Sequence, residues 1–338
     1  MDKSVSSITP DISVIIPVFN VEKYLIRCLD SVFKQKFTGL IEVIAVDDAS
    51  TDNSLSLLYE YKKIENRLQV LTHEVNKKLS VARLTGMNKA TGKFVMHVDS
   101  DDWLPDNSLE SLYQKCRTAD ADVVVYNYCK EDSFGKKIFV NTIKYELATN
   151  NKQKVHPYFL GAPWNKIVKR SLLNNMVSGR TGINNGEDLV YATEILLRSE
   201  KIYLVPQRYY IYYVNKQSLT WAASTEQFLN NLIVVLKQLE VLMLEYHPTQ
   251  AFQSFLMNYF EKWLYLEIAK INFLNKKEDS NKSLDLINNI FQFSLMSPNR
   301  VYRLKLALNN KLISIYEVFR RFGIRTAASI LLKKLSNL

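Results

Sequence analysis

The residues with chemical potential in this chain are three groups of acids. Asp47 and Asp48 sit together, Asp99, Asp101 and Asp102 fall within four positions, and Glu187 and Asp188 form a third group. Residues 41–46 and 94–98 are short runs of mostly aliphatic residues, and the first two groups end them. Carboxylates crowded where buried strands end repel one another, a cost that a cation or a hydrogen-bonding ligand offsets. Few histidines or thiols lie nearby, so the donor set suits a hard ion, Mn²⁺ or Mg²⁺, rather than Zn²⁺. Each group alone also has a plainer reading. Asp, Asn and Ser after a strand form turns and helix caps, and acids at a helix start complement its dipole. The joint occurrence of acids at two strand ends favours the ligand site. His97 lies inside a strand pattern and reads as a packed core residue, while His247 sits beside Pro248 in helical surroundings and is a poor ligand candidate.

Positioning such acids requires strands and helices in alternation. Residues 13–19, 41–46, 94–98 and 123–128 are brief β-branched runs, the pattern of strands buried on both faces. Between the first two, Leu25, Cys28, Leu29, Val32 and Phe33 recur at helical spacing, as do Leu55, Leu58 and Tyr61 after the second. Strand, helix and strand in repetition predict an α/β domain with a mostly parallel sheet, whose ligands bind at the carboxyl ends of the strands. Residues 131–162 read as loop-rich. The acids at 187–188 open an amphipathic helix, and residues 202–205 and 209–214 are strand-like. Past about residue 225 only helical periodicity remains. The expected division is therefore a catalytic domain over 1–222, with halves at about 11–129 and 130–222, and a helical C-terminal domain over 223–338.

The chain has 338 residues, 47% hydrophobic and 23% charged, which is the balance of a folded protein and excludes a disordered one. Its net charge of +10 is unevenly spread. Residues 299–338 hold nine Lys and Arg against one acid, Glu317, so the first 298 residues are close to neutral. Nucleic acid is therefore not an expected partner of the front domain. Cys28, Cys116 and Cys129 are odd in number and lack metal-ligand spacing, which suits reduced thiols in a cytoplasmic protein. Residues 1–10 are polar, with no secretory leader pattern, and no stretch reaches about 18 uninterrupted apolar residues.

Residues 12–20 (ISVIIPVFN), 46–54 (VDDASTDNS), 79–83 (LSVAR) with Gly86, 90–93 (ATGK) and 98–103 (VDSDDW) resemble, in order and spacing, the successive motifs of family-2 inverting glycosyltransferases with the GT-A fold. The resemblance runs continuously over about 11–129. It extends more loosely through Trp164, Asn165 and Lys166, the Glu187 and Asp188 pair, and the segment ending at 218–220. It implies a GT-A fold with a C-terminal helical subdomain, and transfer from a nucleotide-sugar, a UDP-sugar foremost, to a glycan or lipid-linked acceptor in surface polysaccharide synthesis.

By that resemblance Pro17, Phe19 and Asn20 line the nucleotide base, Asp48 hydrogen-bonds the uracil, and Arg83 approaches the nucleotide. Asp99, with Ser100 beside it, faces the ribose and metal, and Asp101 binds the metal. Asp188 matches the catalytic base, while Trp164, Asn165, Lys166 and Glu187 fall on the acceptor side. Relatives often carry an arginine where this chain has Tyr213 or Val214, which would leave phosphate contact to Lys216 or Arg208. The basic tail, with Val301, Leu304, Leu308, Leu312 and Ile315 at helical spacing, suits either an interfacial helix on the inner face of an anionic membrane or packing on the catalytic domain or a second subunit as a homo-oligomer. A dehydrogenase or a pyrophosphorylase would need a glycine-rich turn at 18–21, where the sequence is VFNV. The rival from another class is a silent glycan-binding or scaffold protein on the same fold.

Overall fold

The computed structural model describes residues 9–152, 155, 162–184, 186–214 and 225–274. The chain divides into two units, Met1–Ser218 and Leu219–Leu338. The basic tail, Lys216 and the 218–220 segment lie outside the described residues.

The first unit is built on one sheet. Strands β1 (Ile12–Val18), β2 (Ile41–Asp47), β3 (Leu68–Thr72) and β4 (Phe94–His97) pair in parallel in the order β3-β2-β1-β4. Every residue of β1 and β2 is buried, which is why these strands read as unbroken apolar runs rather than alternating ones. Helices α1 (Leu25–Phe33), α2 (Ser54–Ile64), α3 (Leu79–Lys89) and α4 (Ser108–Thr118) connect them or follow them. On α1, Leu25, Cys28, Leu29, Val32 and Phe33 are buried, the face expected from their spacing.

Past β4 the sheet changes hand of pairing. β8 (Lys166–Lys169) inserts antiparallel between β4 and β5 (Val123–Glu131), and β9 (Ile202–Tyr213) then runs parallel to β5. Edge strands β6 (Lys137–Val140) and β7 (Leu147–Thr149) pair antiparallel with β5 and β9 and occupy part of the stretch expected to be loop. The two strand-like runs at 202–205 and 209–214 form a single strand, because a register shift beside Asn127 accommodates Pro206, which has no N–H for the ladder. Buried Asn127 satisfies the irregularity, donating to the carbonyls of Ile143 and Pro206 and accepting from the Ile143 N–H. Helix α5 (Glu187–Arg198) follows Gly186, whose φ of 86° suits glycine.

The ATGK segment has a structural task. Glu42, buried in β2, accepts from the Thr91 and Gly92 N–H groups at 2.6 and 3.1 Å and from the Ser13 hydroxyl at 2.6 Å, locking the entry to β4. A Cβ on Gly92 would lie 2.6 Å from Ser13 Oγ, so the turn packs only without a side chain.

The second unit begins with α6 (Thr225–Tyr246) and α7 (Gln250–Leu274), which pack on each other. Residues Glu226–Tyr246 are long and apolar enough to cross a membrane by composition, yet Leu229, Leu232, Val235, Leu236, Leu239 and Leu242 are buried at three- and four-residue spacing, the pattern of a core helix.

Candidate active site

The carboxyl ends of β1, β2 and β4 gather the expected residues. Pro17 is buried inside β1 opposite Val46, and Phe19 is half-buried just past the strand. Asn20, exposed at φ 54°, accepts from the Thr51 N–H at 2.8 Å through Oδ1, and its own N–H donates to Ser50 Oγ. The loops after β1 and β2 thus brace each other.

Asp48 is enclosed. His73 Nδ1 lies 2.6 Å from its Oδ1, and the N–H groups of Lys77 and Lys78 donate to Oδ1 and Oδ2 at 2.8 Å each. A carboxylate offers about four acceptor sites, so Oδ2 keeps one for a ligand donor. His73 Nε2 pairs in turn with Thr85 Oγ1 at 2.9 Å. Lys78 is held at φ 77°, a region that favours glycine, and its turn is joined to the loop preceding α5 by a hydrogen bond from the Leu79 N–H to Asn184 Oδ1. A Cβ on Gly182 would lie 2.4 Å from the Lys77 carbonyl oxygen, so that junction is close. The sequence carries no signal for His73, because β3, which delivers it, is only partly buried and lacks the apolar run of β1 and β2.

Arg83 is the hub. Buried on α3, its guanidinium donates to Asp99 Oδ1 at 2.8 Å, Asp188 Oδ1 at 2.9 Å and Glu187 Oε1 at 3.2 Å. Burial opposes its charge, but the three acids outweigh that and hold it firmly protonated. An arginine expected to approach the nucleotide is therefore also the strut that joins the second and third acid groups. Among the three acids exposure differs: the side chains of Glu187, Asp99 and Asp188 are 9%, 23% and 40% exposed. Burial, then the adjacent Asp188, push the Glu187 carboxyl up. Asp188 is also raised by burial, with Arg83 opposing. Two acids at one helix start thus differ in setting: Glu187 is enclosed, while Asp188, although its carboxyl sits among buried groups, keeps part of its side chain in solvent.

The 99–103 turn sorts its acids in the same way. Asp102 is fully buried, accepting from Tyr210 Oη at 2.7 Å and from the Tyr213 N–H at 2.7 Å, and burial followed by Asp101 and Asp99 pushes its carboxyl well above the usual range. It ties the turn to β9 and does not reach solvent. Tyr210 Oη also accepts from the Asp99 N–H at 2.9 Å. Ser100 is buried, and Asp99 and Asp101 are half-buried. Among the described residues no group of three or more His, Cys, Asp or Glu is arranged to hold a metal. Two aspartates nonetheless fit Mg²⁺ or Mn²⁺, which bind through one or two carboxylates together with waters and substrate phosphates. Cys28 is no competing ligand, since burial and the neighbouring aspartates push its thiol well up. His97 is fully enclosed edge-on to Tyr191, in keeping with a packed core residue.

Of the residues that the resemblance places on an acceptor side, the Trp164 ring is buried and stacks on Tyr210 at 4.5 Å and on Tyr212 at 5.6 Å. Lys166 is buried and donates to the Ala162 carbonyl at 2.6 Å and to Asn165 Oδ1 at 2.5 Å. Burial pushes its amine down to about 7, with Asp188 acting the other way. Arg208, one of the cations expected to replace the family arginine, points elsewhere: its Nε donates to Asn141 Oδ1 and its guanidinium lies 4.6 Å over Phe139. Arg27, not singled out in the sequence, lies instead beside Tyr213, 4.7 Å from its ring centroid.

A mostly parallel sheet with acids gathered at its strand ends, Asp48 after β2 and Asp99 after β4, is the architecture of a GT-A fold. Residues 13–177 match the family described as Glycosyl transferase family 2. The chain is 31% identical over 216 residues to Glycosyltransferase GlyG of Streptococcus pneumoniae, covering 60% of this chain and 70% of that protein. It is 34% identical over 238 residues to Glycosyltransferase GlyA of the same organism, covering 66% of this chain but only about a third, 33%, of that longer relative. The chain belongs to glycosyltransferase family 2. Its fold is similar to that of S. aureus TarS 1-349 in complex with UDP-GlcNAc, with a TM-score of 0.68 at 22% identity, covering 97% of this chain and 92% of that one.

Proposed function

We propose that this chain transfers a sugar from a nucleotide-diphosphate donor, a UDP-sugar, to a hydroxyl of a glycan or lipid-linked oligosaccharide in surface polysaccharide synthesis, with inversion at the anomeric carbon. The observation that carries this reading is the Arg83 bridge, which brings partly exposed Asp188 to the aspartate turn at the end of β4. A sugar hydroxyl is a poor nucleophile at neutral pH, and a carboxylate beside it accepts its proton as attack proceeds. Asp188 takes that part, oriented by Arg83, while Glu187 stays buried behind it. Asp48, Phe19 and Asn20 border the place for the base, with the free acceptor site on Asp48 Oδ2 suited to an imide N–H. The TarS structure with UDP-GlcNAc supports a uridine nucleotide as the first donor to try. Asp99 and Asp101 would hold Mn²⁺ or Mg²⁺, which supplies Lewis-acid stabilisation of a departing diphosphate when bound.

The test is a panel of UDP- and GDP-sugars assayed for hydrolysis and transfer with Mn²⁺. At least one donor should turn over in the unaltered chain. Asp188→Asn should lower turnover by roughly 10²- to 10⁴-fold, the scale of general-base catalysis, while leaving UDP binding within a few-fold. Asp101→Ala should abolish the response to Mn²⁺. If no donor is bound or turned over, the glycan-binding or scaffold reading replaces this one.

A further inference from the structure

Arg27 occupies an unusual setting. It projects from the first turn of α1, at the carboxyl end of β1, and its guanidinium lies 3.6 Å from the Trp103 ring centroid, 4.7 Å from that of Tyr213 and 5.9 Å from that of Tyr24. Its Nη2 donates to the Asp101 carbonyl at 3.1 Å. Trp103 and Tyr213 are themselves 5.9 Å apart, and Tyr213 packs on Tyr24 at 5.4 Å, so three rings from three segments converge on one cation.

Two features distinguish this arginine from a surface charge that only completes a salt bridge. It stands beside the turn that carries Asp99, Asp101 and Asp102, yet among the described residues its guanidinium forms no ion pair and makes that one hydrogen bond to a backbone carbonyl. A guanidinium carries five N–H donors, so most of its donor capacity is left over. Arg27 is exposed, so those donors are within reach of a ligand. Stacking on rings fixes the plane of the guanidinium, which lowers the ordering cost of a later contact. A pre-oriented, exposed cation with unused donors suits a planar or branched oxyanion. Phosphate oxygens are bound bidentately by such forks.

We infer that Arg27, held on its aromatic seat beside the Asp101 turn, contacts the diphosphate of the nucleotide donor. This rests on the nucleotide-donor reading above. The contact balances charge where the leaving nucleoside diphosphate gathers it, next to the Asp101 turn. It also gives Tyr213 a purpose, as part of the aromatic seat that holds Arg27 in place.

The test measures binding of UDP, UMP and uridine to the full chain by isothermal titration calorimetry in EDTA, so that no effect runs through a metal ion. The variants are Arg27→Gln, Arg27→Ala and Arg27→Lys, each checked for an unchanged melting temperature. Arg27→Gln, which keeps the length of the side chain, should weaken UDP roughly 10- to 100-fold, as expected for loss of a charge-assisted pair, and leave uridine unchanged. Arg27→Lys should fall between. Arg208, whose guanidinium packs on Phe139 of β6 and not on the Trp103 and Tyr213 rings, supplies the control: Arg208→Gln should alter neither ligand. The inference is overturned if Arg27→Gln keeps the unaltered ratio of UDP to uridine affinity, or if UDP and uridine weaken equally, which would make Arg27 only a support of the turn. Lack of UDP binding by the unaltered chain would instead overturn the donor reading, and this inference with it.

Discussion

Removing the Arg83 side chain would leave Asp99, Glu187 and Asp188 facing one another without their shared cation. Breaking a buried ion pair by deleting one partner costs about 3–5 kcal/mol, and the lower end applies because Asp99 and Asp188 keep part of their surface in water. Arg83→Met should therefore lower the stability of the first unit by about 3 kcal/mol in urea unfolding. Arg83→Lys should recover little of it, because an ammonium does not reproduce a fork that donates to Asp99 from one nitrogen and to Asp188 and Glu187 from the other. An unchanged midpoint in either variant would remove Arg83 as the hub. At this scale the sequence made the acids legible, since their identities and order carry the family pattern. It did not reveal which acids face water. Asp102 and Asp101 are neighbours in sequence, yet Asp102 is consumed by Tyr210 and the Tyr213 N–H from a strand more than a hundred residues away. Arg27 was hidden for the same reason: a lone arginine in an amphipathic helix looks like any solvated charge until Trp103 and Tyr213 are seen beside it.

Elements deliver these side chains only if their ends are locked, and Glu42 is such a lock. Burial alone would raise its pKa, but hydrogen bonds from Ser13, Thr91 and Gly92 outweigh burial and leave the carboxyl below its ordinary value of 4.5. A carboxyl whose folded pKa is depressed contributes stability above its unfolded pKa and loses it as pH falls through the folded value. The first unit should therefore lose stability as the pH drops below about 4.5, and Glu42→Gln should remove Glu42's share of that loss while lowering stability at pH 7 by about 1–2 kcal/mol. Melting temperatures of both proteins between pH 3 and 7 check this, and parallel curves across the acid range would refute it. The same strand shows what made elements legible. β1, β2 and β4 are buried on both faces and announce themselves as apolar runs, whereas β3, β6 and β7 are short or exposed and have no such signature. The sequence of β9 reads as two pieces because Pro206 interrupts a strand that the irregularity at Asn127 keeps continuous.

Across the whole molecule the charge is segregated, and that segregation predicts behaviour at a surface. The net +10 lies almost wholly in residues 299–338, while the part that carries the acid groups is close to neutral. Each Lys or Arg near an anionic leaflet contributes about 1 kcal/mol, and this attraction decays within a Debye length of about 8 Å at physiological salt. Binding driven by that tail should therefore need anionic lipid and weaken steeply with salt, whereas burial of apolar residues such as Leu304, Leu308 and Ile315 would leave a salt-resistant remainder. Flotation of the full chain with vesicles of phosphatidylcholine alone and with 30% phosphatidylglycerol (about one anionic lipid in three) separates these components. The chain should float with the anionic vesicles at low salt. The variant with Arg320, Arg321, Lys333 and Lys334 changed to Gln should float markedly less, with donor hydrolysis unchanged, because the aspartate turn and Asp188 belong to the other unit. Equal flotation of the two proteins would show that the tail's charge serves packing or self-association instead, and sedimentation of the same variants would then reveal a shift in oligomeric state.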